Sequence, residues 1–198
     1  MALPNIGGII LCGGESSRMG RAKAWLPFGN EFLLQRVVRV VAGVVQPVVV
    51  VAAPGQDLPP LPDGIEIVHD SLRGQGPLAG LAAGFAALDS RVDAVYLSSC
   101  DVPFLKPEFV RTVIGALQEY EVAVPRIQGY PHPLAAIYRL SVRTVVERML
   151  AENRLRLRDV FDAVPTRFLG AELFEEVESL RNVNTPAEYE LALRRLLP

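Results

Sequence analysis

The residues in this chain best suited to chemistry stand directly behind short apolar runs. In LCGGESSRMGRAKAWLPFG, from Leu11 to Gly29, the pair Gly13-Gly14 is followed by Arg18 and Lys23. Glycines let backbone N–H groups approach an anion closely. The two cations would then offset polyphosphate charge, above all the charge that builds on a departing pyrophosphate. By chemistry this is a phosphate loop, although an ordinary tight turn with solvated basic residues would read the same way locally. It is not the G-x-x-x-x-G-K-[ST] loop, since no Lys-Ser or Lys-Thr follows a glycine pair, and G-x-G-x-x-G is absent too. SSCDVPFL, Ser98 to Leu105, places Asp101 behind another apolar run. A carboxylate there can ligate Mg²⁺, which keeps several waters and bridges to substrate phosphates, so one or two protein carboxylates suffice. The same aspartate could instead cap the turn at Pro103. His69-Asp70 ends a further run and offers a weaker second carboxylate.

The elements that must position these residues alternate. Ile6–Cys12, Val48–Ala52, Ile65–Val68 and Ala94–Ser98 read as strands. Phe32–Val44, with apolar residues at three- and four-residue spacing, reads as a helix, as do Leu78–Leu88 opened by Pro77 and Pro107–Tyr120. Farther on, Val122–Pro125 and Leu134–Arg139 read as strands, Ser141–Asn153 as a helix, and Ala187–Leu196 as a closing helix begun by Thr185-Pro186. The proline-rich stretch Gly55–Gly64 reads as a surface loop. This order predicts an α/β fold whose largely parallel sheet is covered by helices. In such sheets ligands bind at the carboxyl ends of the strands, where Gly13, Asp70 and Asp101 all fall. The small residues of RGQGPLAG, Arg73 to Gly80, would either admit a base or ribose against the backbone or pack a helix tightly on the sheet.

Composition bounds the rest. With 198 residues, half of them hydrophobic, the chain reads as one domain over residues 1–198 with a substantial core. A formal net charge of −2 argues against a nucleic-acid partner held mainly by phosphate contacts. No apolar segment reaches the roughly 18 residues that cross a bilayer, and MALPNIGG lacks the basic region and apolar core of a signal peptide, so a cytoplasmic location without membrane attachment is expected. Cys12 and Cys100 suit reduced buried thiols better than a disulfide framework or a zinc site.

LCGGESSRMGRAKAWLPFG, GPLAG, SSCDVPFL, PHPLA and RNVNTP, in that order, resemble the bacterial molybdenum cofactor guanylyltransferase (MobA) family, from Ile9 to about Glu188. The first motif is shared with the wider nucleotidyltransferase superfamily and speaks to reaction type; GPLAG and NVNTP narrow it. The resemblance implies a single-domain, three-layer Rossmann-like fold with a mixed, mostly parallel sheet and helices on both faces. It also implies GTP and Mg²⁺ as requirements. The reaction implied is transfer of GMP to molybdenum-bound molybdopterin, with cofactor-biosynthesis proteins or recipient molybdoenzymes as possible partners. By match to the family's motifs, Leu11, Cys12 and Gly13, with Gly14 beside them, supply backbone contacts to GTP. Lys23 is the phosphate-binding lysine, Arg18 the motif's arginine, Asp70 a nucleotide contact and Asp101 the Mg²⁺ ligand. Two departures stand out. Ala22 replaces the usual aspartate before the lysine in a segment one residue shorter, and an asparagine some members carry is replaced near Ala52-Ala53-Pro54. A different nucleotidyl group (CMP to molybdopterin, or a nucleotide to a sugar phosphate) and an inactive nucleotide-binding module remain alternative readings. His132, Asn182 and Asn184 lie in motifs that face the second substrate in the family, while N-x-N-T-P reads locally as a turn and helix cap.

Overall fold

The computed structural model describes residues 4–13, 19, 22–70 and 75–196. Its strands are β1 (Ile6–Leu11), β2 (Pro27–Phe28), β3 (Glu31–Phe32), β4 (Val48–Ala52), β5 (Glu66–His69), β6 (Ala94–Ser99), β7 (Val122–Ile127), β8 (Tyr130–Pro131), β9 (Ala135–Arg139) and β10 (Thr166–Leu169). Helices α1 (Leu33–Ala42), α2 (Gly76–Leu88), α3 (Pro107–Gly115), α4 (Arg143–Ala151), α5 (Val160–Ala163) and α6 (Pro186–Arg194) alternate with them. The main sheet runs β10-β7-β9-β6-β1-β4-β5, with β8 attached to β7; β2 and β3 form a separate hairpin. β1 lies parallel to both β4 and β6, and β4 parallel to β5, whereas β9 runs antiparallel to β6 and β7. The sheet is therefore mixed and mostly parallel, as expected.

Because side chains alternate along a strand, each central strand fills two cores at once. Ile10, Val48, Val50, Ala94, Tyr96 and Ile137 face one layer with α1 and α3. Ile9, Val49, Val51, Val95, Leu97 and Tyr138 face the other with α2, α4 and α5. In α1, Leu34, Val37, Val38 and Val41 are buried while Arg36 and Arg39 reach out to Glu31, so the apolar spacing outweighs the low helix propensity of valine. A third cluster joins Met19, Leu26, Phe28 and Leu33 to Val183 and Ala192 of the C-terminal segment.

Several boundaries differ from the sequence reading. α3 ends at Gly115 instead of Tyr120, since Gln118 takes a positive φ of 44° and the chain turns, with Arg139 donating to the carbonyls of Gln118 and Tyr120. α4 starts at Arg143 behind a 3₁₀ turn over Leu140–Val142. β2, β3, β8 and β10 were not legible, being two to four residues long with too few positions to show an alternation.

The glycines of α2 serve packing. A Cβ at Gly84 would lie 2.5 Å from Ile9 Cδ1, and one at Gly80 would lie 2.9 Å from Leu11 Cδ2, so the helix rests on β1 backbone-close. Of the two readings of GPLAG, tight helix-to-sheet packing is the one these positions obey; Arg73 and Gly74 lie outside the described residues. Gly84→Ala should lower stability by about 1–3 kcal/mol through overpacking, against the gain of up to about 1 kcal/mol that the better helix former would give on an open face. Urea denaturation checks the sign: a raised midpoint would show that α2 does not press on Ile9.

Candidate active site

Four strand ends lie side by side on one edge of the sheet, in the order β5, β4, β1, β6, spaced about 4.8 Å apart. They carry Asp70, Ala52-Ala53, Cys12-Gly13 and Asp101 respectively. Hydrogen bonds prolong the ladder past the last paired residues. Asp70 N–H donates to Ala52 C=O at 3.0 Å, Cys12 N–H to Val51 C=O at 2.8 Å, and Cys100 N–H to Leu11 C=O at 3.0 Å. Asp70 is half-buried, and Leu11, Cys12 and Asp101 are buried. Gly14 and Arg18 lie outside the described residues.

Lys23 reaches Asp101 from the other side. It opens a 3₁₀ turn, Lys23–Trp25, in which Ala24 is buried. The turn is fixed by Leu26 beneath it, by the Trp25 indole N–H donating to Asp57 C=O at 3.1 Å, and by edge-to-face packing of Trp25 on Phe32. With its backbone anchored in this way, Lys23 Nζ lies 2.7 Å from Asp101 Oδ2. It donates a second bond to Asn184 Oδ1 at 2.6 Å.

Asp101 is held on all sides. Ser99 Oγ donates to Asp101 Oδ1 at 2.6 Å, and Asp101 C=O accepts from Val183 N–H at 2.9 Å. The following turn is fastened by Arg36, whose Nε donates to Pro103 C=O at 2.5 Å while its guanidinium pairs with Glu31. The alternative reading of Asp101 as a turn cap is thus replaced by a carboxylate turned toward Lys23. Both oxygens of this buried carboxylate are hydrogen-bonded and one is ion-paired, which offsets the cost of taking it out of water.

Asn184 owes its position to the start of α6. Thr185 caps the helix, accepting at Oγ1 from Glu188 N–H at 3.2 Å, and Glu188 Oε2 accepts from the N–H groups of Asn184 (2.8 Å) and Thr185 (3.0 Å). The Asn184 N–H, opposed by burial and helped by the bonds from Thr185, holds the Glu188 carboxyl below its ordinary pKa. The local reading of N-x-N-T-P as a cap holds, but the cap also aims Asn184 at Lys23. The motif's polar residues were visible in the sequence; its partner, 161 residues away, was not. Gln56, whose amide bonds Cys12 C=O at 3.0 Å, was missed for the same reason, and Ser99 because a serine at a strand end gives no local sign that it donates to the carboxylate two residues on.

Cys12 and Cys100 are free and buried, as expected. They follow the paired residues Leu11 and Ser99, and the Cys12 thiol's hydrogen bond, reinforced by burial, raises the Cys100 pKa well above its ordinary value. His132 precedes β9, whose first residue Ala135 pairs with Ser98, so it stands at this same edge. Its N–H donates to Pro125 C=O at 2.9 Å, and burial lowers the imidazole pKa. The unfolded chain therefore takes up the proton first. Stability from neutral His132 is complete above about pH 6.5 and is lost as pH falls through the lowered folded pKa. His132→Asn should flatten the decline in Tm between about pH 7 and pH 5; an unchanged slope would assign that decline to other groups.

A concavity of about 650 Å³ is lined by Asn5, Gln46, Asp63 and Arg91. It opens at the amino ends of the strands, opposite this constellation.

Comparison with known proteins places the arrangement. Residues 8–167 match the model of the MobA-like NTP transferase domain. The chain is 32% identical over 200 residues to a probable molybdenum cofactor guanylyltransferase of Carboxydothermus hydrogenoformans, covering 97% of each chain. It is 36% identical over 188 residues to the probable molybdenum cofactor guanylyltransferase of Mycobacterium avium, covering 92% of each. In fold it is similar to molybdopterin-guanine dinucleotide biosynthesis protein A from Archaeoglobus fulgidus, with a TM-score of 0.77 and 21% identity over 96% of this chain and 98% of that one. A family match over most of the chain, and relatives above 30% identity along nearly its whole length, establish that the chain belongs to the MobA-like NTP transferase family.

Proposed function

We propose that this protein transfers GMP from GTP to molybdenum-bound molybdopterin, releasing pyrophosphate and forming the guanine dinucleotide form of the cofactor. The observation that carries the chemical part is the Lys23–Asp101–Asn184 constellation, held at the carboxyl ends of β1 and β6 where an open α/β sheet takes its ligand. Relatives named for guanylyl transfer supply the substrate.

In this reading the phosphate oxygen of molybdopterin attacks the α-phosphorus of GTP in line and pyrophosphate leaves, without a covalent enzyme intermediate. Lys23 has three N–H donors, two of them placed on Asp101 and Asn184, which leaves one for a phosphate oxygen. As nucleotide charge arrives, the ammonium is drawn from the carboxylate toward the leaving pyrophosphate. Gly13 adds a backbone N–H, and Gly14 and Arg18 keep the phosphate-loop roles their motif implies. Asp70, at the far end of the row, contacts the nucleotide away from the reacting phosphate. Catalysis is then positioning plus electrostatics.

Asp101 suits Mg²⁺. Among the described residues no group of three or more His, Cys, Asp or Glu could form an all-protein cage. One carboxylate is what a Mg²⁺ shared with substrate phosphates and water requires, and each Asp101 oxygen keeps a second acceptor direction beyond its bond to Ser99 or Lys23. When bound, the ion neutralises phosphate charge at the reacting centre.

Among the described residues no helix is long and apolar enough to cross a bilayer. Calorimetric titration with GTP, CTP, ATP and UTP, each with and without Mg²⁺, tests the reading. Selective, metal-dependent GTP binding is expected. A preference for CTP would move the reaction to cytidylyl transfer, and no nucleotide binding would leave a module without this activity.

A further inference from the structure

The β1–β4 ladder stops in an unusual way. The two strands run parallel with Leu11 opposite Val51, and Cys12 N–H donates to Val51 C=O at 2.8 Å. In a parallel ladder the next rung would join Ala53 N–H to Cys12 C=O. The carboxamide of Gln56 stands between them instead. Its Oε1 accepts from Ala53 N–H at 3.0 Å, and its Nε2 donates to Cys12 C=O at 3.0 Å, with Cys12 Sγ at 3.7 Å. The side chain is placed for this by a tight turn in which Gln56 N–H donates to Ala53 C=O at 3.1 Å and Gly55 takes a φ of +74°. One side-chain amide has thus been inserted where a backbone rung would lie.

The consequence follows from peptide planarity. Cys12 C=O and Gly13 N–H belong to one peptide, and in a trans peptide they point in opposite directions. Holding the carbonyl toward β4 turns the Gly13 N–H toward the β6 side, where Asp101 and Lys23 stand. No acceptor for that N–H is found among the described residues. Both ends of the Gln56 carboxamide are occupied, so its bonds serve the backbone.

We propose that Gln56 is a positioning residue for the nucleotide: its carboxamide locks the Cys12–Gly13 peptide so that Gly13 N–H faces the phosphates. The inference rests on the nucleotide-binding reading above. Without the lock the Cys12–Gly13 peptide is free to rotate, which moves the donor.

Two variants separate positioning from general support. Gln56→Leu keeps the bulk and loses both bonds; Gln56→Glu keeps the acceptor for Ala53 and sets a carboxylate against Cys12 C=O. Calorimetry with GTP and with guanosine, alongside Tm, should show each variant binding GTP at least about tenfold more weakly, which is about 1.4 kcal/mol. Guanosine affinity should stay within about twofold and Tm within a few degrees. Lowering the pH from about 7 to about 5 should restore part of the GTP affinity of Gln56→Glu relative to wild type, because a protonated carboxyl can donate to Cys12 C=O. Unchanged GTP affinity, with or without a fall in Tm, would overturn the proposal, as would equal losses for GTP and guanosine. If the unmodified protein bound neither ligand, the nucleotide reading itself would fall and this inference with it. Normal binding by the wild type and by Gln56→Leu would remove only the inference.

Discussion

Asp101→Asn should reduce turnover on the order of a hundredfold or more, about 2.7 kcal/mol of transition-state stabilisation. Asparagine keeps nearly the same shape. It can still accept from Ser99 through its carbonyl oxygen, and the backbone bond from Val183 to residue 101 does not involve the side chain. The fold should therefore survive, and the loss should come from charge: the carboxylate that pairs with Lys23 and suits Mg²⁺ becomes a neutral amide. Circular dichroism and Tm would first establish that the variant is folded. Steady-state assay of pyrophosphate release at saturating GTP, across a series of Mg²⁺ concentrations, then reads the effect. Near-normal kcat would take the aspartate out of the mechanism, and full recovery at high Mg²⁺ would reduce its role to metal affinity.

The second large effect belongs to Lys23, and it is best measured together with Asn184. Lys23→Met should lower kcat/KM by about 10²–10³, comparable to removing one preorganised electrostatic donor, and it also leaves a buried carboxylate without its cation. Asn184→Ala should cost less, because Asn184 touches the site through Lys23 Nζ. If orientation of Lys23 is its whole contribution, the double variant should lose no more activity than Lys23→Met alone, a strongly non-additive cycle. Additive losses would mean that Asn184 contacts substrate independently.

Part of this site was legible because residue type and local context sufficed. A glycine pair and a lysine behind one apolar run, and an aspartate behind another, are enough to predict a meeting of these residues, since strand ends in a parallel sheet share an edge. Other questions stayed open locally. Whether Asp101 caps its turn, and whether Gly80 seats a ligand or packs the helix, were undecided until the carboxylate was seen against Lys23 and Gly80 against Leu11. Gln56 escaped notice because it acts on Cys12 of a distant segment, and Asn184, though its motif named it, gave no sign of its bond to Lys23 for the same reason. In both cases the residue alone reads as an ordinary turn or loop polar group.

Alternation and spacing of apolar residues are local quantities, and they were enough to determine the α/β order of elements and that Gly13, Asp70 and Asp101 share one edge of the sheet. Strand order, the antiparallel placement of β9, and the meeting of Lys23, Asp101 and Asn184 depend on which surfaces bury each other once the chain has closed. That choice is made by the summed packing of two core layers and a third cluster that joins the C-terminal segment to Met19, Leu26, Phe28 and Leu33. Only the tertiary structure could make it, because hydrophobic burial favours contact without specifying partners, whereas a hydrogen bond of 2.6 Å requires both of its atoms to have been placed.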